Sequence, residues 1–267
     1  MVSGVFFTIV CPLIGTIICC GMWLAPLPAV LAAKKNGSLG ELNPFPWVAA
    51  YLNCIAYVTY SVLLKDYFIW FANVPGLCLA VFYALMSITI LARSNLSADH
   101  KRMNILIGVL IFGFFLFSIL GFAAGLAFVG RDDERERAAA VIGNTGMCFS
   151  IMYYFAPLST AVTVIRTKNS ASLYAPMLAL NLANALLWMS YGLAIGEVAV
   201  FIPNILGVIV SGVCLILSVV IPKREKVPDE PKENVAFDEV SAPQSNPMFA
   251  TAPVEPIAEQ QNVYARL

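Results

Sequence analysis

The sequence contains one apolar segment twice, and equivalent positions of the two copies lie 131 residues apart. Residues 25–27 (Ala-Pro-Leu) recur as residues 156–158, and residues 73–76 recur as residues 204–207 with the first Asn and the last Gly unchanged. The same offset relates both matches, so no gap separates them. A chain that carries one apolar unit twice is restricted to folds in which two similar units pack together with internal symmetry.

Seven long apolar runs occupy most of the chain, which is 60% hydrophobic and only 12% charged. Soluble domains carry roughly a quarter charged residues, so this composition indicates a membrane protein. The runs cover residues 5–33, 46–64, 68–92, 105–129, 138–165, 173–195 and 198–221. Each is close to or above the ~20 residues that a helix needs to cross the hydrocarbon core. Helices satisfy their own backbone groups in lipid, so we expect an all-α transmembrane fold of seven helices, called spans 1 to 7.

The repeat divides these spans into a 3+1+3 arrangement. We expect a first three-helix repeat in residues 1–92, a linker helix with flanking loops in 93–137, and a second three-helix repeat in 138–221. Three helices are an odd number, so span 4 is needed to bring the second repeat back to the direction of the first, which makes the two bundles parallel. Residues 222–267 are rich in Pro, Glu, Asp and Gln, which predicts a disordered tail.

Basic residues alternate between the two sides of the predicted bundle. One side holds Lys34, Lys35, Arg93, Lys101, Arg102, Arg166, Lys168, Lys223, Arg224 and Lys226. The opposite side holds Lys65 and three Arg residues that are mixed with acidic residues. Basic loops remain in the cytosol, so we expect the N-terminus outside and the C-terminus in the cytosol, in the plasma membrane or an intracellular membrane. No Lys or Arg precedes Lys34, so the first run is interpreted as a span and not as a signal peptide.

The sequence shows no pattern typical of catalysis or of a cofactor. All seven cysteines fall inside predicted spans, where they resemble small packing residues, and the single histidine, His100, lies in a loop. The formal net charge of zero gives no reason to expect a nucleic-acid partner. We therefore expect a protein that is not an enzyme and that binds neither metal nor cofactor.

The polar residues that recur in both copies define a candidate site between the repeats. Within span 2 and within span 6, an Asn and an aromatic residue lie four positions apart and so share one helix face. A third pair of Asn residues lies in spans 3 and 7. The six candidate ligand-binding residues are Asn53, Tyr57, Asn73, Asn184, Trp188 and Asn204. Two-fold pseudo-symmetry would bring them around one central axis.

These residue types suit a neutral sugar. Amides offer both donors and an acceptor to hydroxyl groups, while aromatic rings can stack on the C–H face of a pyranose. No Asp, Glu, Lys, Arg or His lies near the middle of any span, and such residues usually mark proton relays and ion pathways. We therefore expect passive, uncoupled transport of a neutral solute, although a carboxylate at the membrane rim leaves proton coupling as an alternative.

Simpler interpretations exist for single residues. A lone membrane Asn usually connects helices by hydrogen bonds, and Asn53 and Asn184 fit that role almost as well as a binding role. Trp23, Trp47 and Trp70 are interpreted as interfacial anchors. Duplication at a fixed offset, beside an aromatic residue on the same face, favours the binding site for the remaining pairs.

Prolines and rim residues suggest two gates at opposite ends of the site. A helical Pro removes a backbone hydrogen bond and kinks the helix, which predicts hinges at the cytosolic ends. The candidate hinge residues are Pro26, Pro46 and Pro157. At the outer rim we expect a cluster of Tyr60, Tyr191, Lys65, Asp66 and Glu197. A hydrogen bond between Tyr60 and Glu197, or its symmetric counterpart, would close the outside.

The sequence resembles the SWEET (MtN3/saliva) family of sugar transporters. The first copy carries Leu24-Ala25-Pro26, Asn53-Cys54, Tyr60, Lys65-Asp66, Asn73 and Gly76 in the order of that repeat. The second copy is the closer match, with residues 156–159 (Ala-Pro-Leu-Ser), 164–168 (Val-Ile-Arg-Thr-Lys), 188–193 (Trp-Met-Ser-Tyr-Gly-Leu) and 202–207 (Ile-Pro-Asn-Ile-Leu-Gly). The resemblance covers about 10–92 and 140–220, nearly the whole membrane region.

This resemblance implies two three-helix bundles joined by a linker helix, and facilitated, bidirectional sugar transport, often by homo-oligomers. It implies sugar contacts for Asn73 and Asn204, and it assigns the aromatic positions to Trp188 and Tyr57. A cytosolic tetrad of gate prolines matches Pro26, Pro46 and Pro157, but the fourth position falls on Tyr174, two residues before Pro176. Either a local shift lets Pro176 serve as the fourth gate proline, or the gate of the second repeat hinges differently.

Two further departures from the family pattern affect the expected site. The rim acid is Glu197 where Asp is usual, and Tyr57 is large where some hexose carriers have a small residue, so sugar size stays open. The alternative functions are a related carrier of the PQ-loop kind and a seven-helix receptor. The residue after each repeat proline is Leu27 or Leu158 and not Gln, which argues against the former. A gapless three-helix repeat argues against the latter.

Overall fold

The computed structural model describes residues 2–40, 42–127 and 132–223. Seven helical segments are long and apolar enough to cross a membrane, as predicted, and the described part of the chain contains no strand. Span 1 comprises Val2–Val5, the π-helix Phe6–Val10, Cys11–Leu24 and Leu27–Asn36, and span 5 comprises Asp132–Tyr153 and Phe155–Thr167. Spans 2, 3, 4, 6 and 7 are Phe45–Leu64, Tyr67–Leu91, Ser97–Ala127, Ala175–Ile195 and Val198–Val220. Residues 224–267, nearly all of the predicted tail, lie outside the described residues.

Repeat-related turns join spans 2 and 3 and spans 6 and 7. Span 2 ends at Lys65 and span 6 at Gly196, both in the left-handed conformation with φ of 59° and 77°. Glycine adopts this conformation without strain, whereas Lys65 adopts it at a steric cost. The following acid, Asp66 or Glu197, is extended and precedes the next helix. Each turn therefore fixes a carboxylate beside the start of span 3 or span 7.

Spans 1 and 5 are both interrupted near their repeat prolines. Proline has no backbone N–H, so the carbonyl four residues earlier loses its helical partner. The chain makes a turn at Ala25-Pro26 in span 1, where Ala25 N donates to Met22 O at 3.3 Å. Span 5 breaks at Tyr154, three residues before Pro157, and Tyr154 N donates to Ile151 O at 3.1 Å. Each span is thus interrupted at a defined point close to its repeat proline.

Six of the spans form a ring. In the first repeat, span 3 packs between spans 1 and 2, and in the second repeat span 7 packs between spans 5 and 6. Between the repeats, span 2 packs against span 5 and span 1 against span 6. The resulting order around the ring is 1, 3, 2, 5, 7, 6, and span 4 packs outside it against spans 2, 3 and 5.

The two repeats share a buried core towards only one end of the ring. One cluster of buried residues joins spans 2 to 7 and includes Tyr57, Tyr60, Trp188 and Tyr191. The other clusters of the described residues are confined to the second repeat or to the first repeat with span 4. We call the shared end, with Tyr60, Tyr191, Asp66 and Glu197, the gate end. The opposite end, with Pro26, Pro46 and Pro157, is the proline end.

Candidate functional site

A cavity of about 430 Å³ lies at the centre of the helix ring. Residues of all six ring helices line it, and none of its described lining residues belongs to span 4. The volume falls within the roughly 300–1,000 Å³ typical of pockets that bind small molecules. The cavity therefore lies between the repeats, where the duplicated polar residues predicted a site.

The lining of the cavity consists almost entirely of repeat-related residues. Of the described lining residues, all but Ala185 and Val210 form pairs separated by 131 positions. The six residues predicted to bind ligand all line the cavity: Asn53, Tyr57, Asn73, Asn184, Trp188 and Asn204. The pseudo-two-fold axis thus passes through the cavity, and nearly every lining position of one repeat has its counterpart in the other.

Asn73 and Asn204 hold the same orientation in the two repeats. The amide nitrogen of Asn73 donates to Ile69 O at 2.8 Å, and that of Asn204 donates to Val200 O at 2.7 Å. Each bond reaches back one turn along its own helix and uses one of the two amide hydrogens. The remaining N–H and the carbonyl oxygen of each amide are available to a ligand in the cavity.

Tyr57 and Trp188 are buried side chains at the gate-end part of the cavity, with 8% and 6% of their surface exposed. Pro203 cannot donate to the Ala199 carbonyl, which instead accepts a 2.6 Å hydrogen bond from the Tyr57 hydroxyl. The Trp188 indole nitrogen has no hydrogen-bond partner among the described residues. The indole packs directly on Gly15, where a Cβ atom would lie 2.8 Å from Nε1.

Asn53 and Asn184 connect the two repeats. The Ser150 hydroxyl donates to Asn53 Oδ1 at 2.5 Å, and the Cys19 thiol donates to Asn184 Oδ1 at 3.3 Å. Cys19 and Ser150 are themselves 131 residues apart, so the two bonds are symmetric. Both amides line the cavity and also link helices. Their position is therefore compatible with ligand binding as well as with helix–helix hydrogen bonding. Sequence reasoning missed Cys19 and Ser150 because their residue types differ, although the offset relates them.

Trp23 and Trp47 also line the cavity, so their interpretation as interfacial anchors was wrong. The Trp23 indole donates to Ala72 O at 3.1 Å and packs on Gly76, which leaves no space for a Cβ atom there. Tyr154, the counterpart of Trp23, packs on Gly207 in the same way. The recurring Gly76 and Gly207 were the sequence signal for this packing.

Two hydrogen bonds between the repeats seal the gate end. The Tyr60 hydroxyl donates to Glu197 Oε2, and the Tyr191 hydroxyl donates to Asp66 Oδ2, both at 2.5 Å. Both of the expected symmetric bonds are therefore present together. Tyr60 is 1% exposed and Tyr191 is 5% exposed, so the rings fill the space between the cavity and the gate end.

The proline end is lined by three of the four predicted gate prolines. Pro26, Pro46 and Pro157 contact the cavity and are half-buried. Met177 lines the fourth position, whereas Pro176 is exposed and is not among the lining residues. Tyr174 is 67% exposed and also lies outside the lining. The cavity thus reaches the proline end, where the paired positions Pro46 and Met177 carry different residue types.

The chemistry of the cavity is that of a neutral polar pocket. Its described lining includes amides, hydroxyls and aromatic rings, but no Asp, Glu, Lys, Arg or His. Over residues 2–40, 42–127 and 132–223, no three His, Cys, Asp or Glu side chains lie close enough together to hold a metal ion. Such a pocket can bind a hydroxyl-rich molecule by hydrogen bonds and ring stacking.

Comparison with known proteins identifies the family. A family model described as a sugar efflux transporter for intercellular exchange matches residues 9–95 and 140–226. Sugar transporter SWEET1 of Drosophila pseudoobscura pseudoobscura is 29% identical over 71% of this chain and 79% of its own. Bidirectional sugar transporter SWEET14 of Arabidopsis thaliana is 30% identical over 78% of this chain and 70% of its own. A solved structure of a eukaryotic SWEET transporter has a TM-score of 0.70 and 18% identity, covering 82% of this chain and 98% of that one. The two matched segments coincide with the two repeats around the cavity, and the chain belongs to the SWEET (MtN3/saliva) family of sugar transporters.

Proposed function

We propose that this protein is a facilitative, bidirectional sugar transporter that moves a neutral sugar across a membrane by alternating access. The observation that carries the proposal is a central cavity with repeat-related walls, sealed at one end and reaching the other. Transporters with parallel repeats bind substrate at the interface of the repeats and work by movement of one repeat against the other. The relatives named as sugar transporters supply the substrate class.

Binding is assigned to the symmetric walls of the cavity. Asn73 and Asn204 hydrogen-bond the sugar hydroxyls, and Tyr57 and Trp188 contact the ring faces. Asn53 and Asn184 contribute amide N–H groups, because their oxygens already accept bonds from the opposite repeat. The absence of ionisable Asp, Glu, Lys, Arg or His from the described lining supports uncoupled transport of a neutral substrate.

Transport requires the closed gate end to open and the open proline end to close. The gate end opens when the bonds of Tyr60 to Glu197 and Tyr191 to Asp66 break, at a cost of about 1.5–3 kcal/mol each. The proline end closes when the helical segments beyond Pro26 and Pro157 approach one another. Both repeats act as rigid units joined by span 4, which makes no contact with the substrate.

The charge distribution supports an orientation for this movement. Basic loops at the proline end assign it to the cytosol, so the N-terminus and the gate end are extracellular in the plasma membrane. The conformation described here is then open towards the cytosol. The family resemblance also supports assembly of several copies, which chemical cross-linking in membranes would detect.

Tracer uptake into proteoliposomes tests the function. Glucose, fructose, galactose and sucrose are offered separately, with and without a pH gradient, and protein-free liposomes serve as the control. We expect at least one sugar to equilibrate in either direction at a rate that the pH gradient does not alter. Accumulation above the external concentration, driven by the gradient, would contradict uniport, and uptake of none of the sugars would contradict the function.

A further inference from the structure

The cavity has polar groups at two depths. Spans 6 and 7 meet at the turn of Gly196, so depth can be measured from that turn along either helix. With a rise of about 1.5 Å per residue, Trp188 and Asn204 lie about 12 Å from the turn. Asn181 and Ser211, which also line the cavity, both lie about 22 Å from it, nearer the proline end. They therefore form a separate level of the cavity, on two adjacent helices of the second repeat.

This deeper level breaks the symmetry of the lining. The counterparts of Asn181 and Ser211 in the first repeat are Ala50 and Ala80, which line the opposite wall. One wall thus offers an amide and a hydroxyl, and the other wall offers two methyl groups. A ligand at this depth can form side-chain hydrogen bonds with Asn181 or Ser211 but not with Ala50 or Ala80.

Asn181 and Ser211 also differ from the four other Asn residues of the cavity in their hydrogen bonding. Asn53, Asn73, Asn184 and Asn204 each make a bond within the protein. Neither Asn181 nor Ser211 has a hydrogen-bond partner within residues 2–40, 42–127 and 132–223. Polar groups inside a membrane protein are costly unless a partner satisfies them, so these two groups are free to bind a ligand that enters the cavity.

We infer that Asn181 and Ser211 form a second sugar-binding level, which hydrogen-bonds the second ring of a disaccharide whose first ring lies between Tyr57 and Trp188. The inference rests on the proposed transport function and assigns it a substrate class. The two levels are about 10 Å apart along the helix axes, so a single ring at the first level does not reach the second. A two-ring saccharide occupies both levels and lies against the second repeat.

Uptake of labelled sucrose and glucose by proteoliposomes tests this assignment. In the variant with Asn181→Ala and Ser211→Ala, we expect the KM for sucrose to rise about tenfold or more, while the KM for glucose changes less than about twofold. Matched controls are Asn144→Ala and Ser218→Ala, which make the same changes in spans 5 and 7 outside the cavity lining. If the double variant does not fold, the single variants Asn181→Leu and Ser211→Ala serve in its place.

The outcomes separate the inference from the function on which it rests. Equal losses for glucose and sucrose, or no change in either, would overturn the second binding level. Transport of glucose but not sucrose by the unaltered protein would overturn it as well and would leave the proposed function intact. Transport of neither sugar, nor of fructose or galactose, would instead refute the proposed function.

Discussion

At the scale of single residues, neighbouring groups fix the orientation of the cavity side chains that we propose to bind sugar. Asn73 and Asn204 bond to the carbonyl of the preceding helical turn, and this leaves one amide hydrogen and the oxygen of each directed to the cavity. Trp188 depends on the absence of a side chain at Gly15. The geometry of the site therefore depends on pairs of contacting residues and not on the candidate binding residues alone.

Replacement of Asn73 or Asn204 by Ala should reduce sugar uptake at least about tenfold, because the sugar loses two hydrogen-bonding groups in a cavity without substitutes. The measurement is tracer uptake normalised to the amount of protein in the membrane. Asn144→Ala, on an exposed face of span 5, is the control and should transport normally. Normal uptake by both cavity variants would remove these residues from the site.

Gly15→Ala should impair transport by displacing the Trp188 indole. The added methyl group would lie 2.8 Å from the indole nitrogen, closer than real side chains tolerate, so the ring must move. We expect a several-fold rise in KM and a shift in tryptophan fluorescence. Gly21→Ala lies on the same helix, has no atom within 4 Å of the added carbon, and is the matched control. Identical behaviour of the two variants would show that the contact does not position Trp188.

At the scale of helices, the 131-residue offset predicts the lining of the proline end better than the family's proline tetrad does. The offset of 131 pairs Pro46 with Met177, and Met177 lines the cavity as that pairing implies. Pro176 lies one residue earlier in the first turn of span 6, where a proline starts a helix without losing a bond. One residue rotates a side chain by about 100° around a helix with 3.6 residues per turn, so Pro176 faces away. The proline motif alone does not decide whether Tyr174 or Pro176 takes the fourth gate position, because it contains no information about this rotation.

Pro157→Ala should slow transport by making span 5 continuous. Alanine supplies the N–H that proline lacks, which restores a helical bond to the Tyr153 carbonyl across the present break at Tyr154. We expect the maximal uptake rate to fall several-fold, with little change in KM. Pro176→Ala is the matched control, since Pro176 is exposed and outside the cavity lining, and its uptake should stay within about twofold of the unaltered protein. Equal losses in both variants would remove the hinge role of Pro157.

At the scale of the whole molecule, the two repeats are joined by a buried cluster towards the gate end. They enclose the cavity between that cluster and the proline end. The number of spans, the pairing of the repeats and the six predicted residues that line the centre of the cavity could be predicted from sequence, because hydropathy and a gapless offset carry that information. The order of helices around the ring could not, since many orders bury the same apolar faces. The cross-repeat bonds of Cys19 and Ser150 also depend on that order.

The symmetric gate makes a prediction about the equilibrium between conformations. The Tyr60 and Tyr191 hydroxyls donate to carboxylates of the opposite repeat, and bonds of this kind contribute about 1.5–3 kcal/mol each. The variant with Tyr60→Phe and Tyr191→Phe removes both bonds and keeps both rings. It should shift the population towards the state that is open at the gate end, and each single variant should shift it less.

Spin labels at Tyr67 and Val198 can measure this shift. These positions are 131 residues apart, begin spans 3 and 7, and are 74% and 51% exposed. In a background without the exposed cysteines Cys78 and Cys148, pulsed electron paramagnetic resonance should give a longer label-to-label distance for the double variant. Tyr51→Phe, which loses only a bond to the Leu110 carbonyl between spans 2 and 4, should leave the distance unchanged. If the double variant keeps the original distance, packing of the rings and not the two hydrogen bonds holds the repeats together, and the carboxylates then have another role.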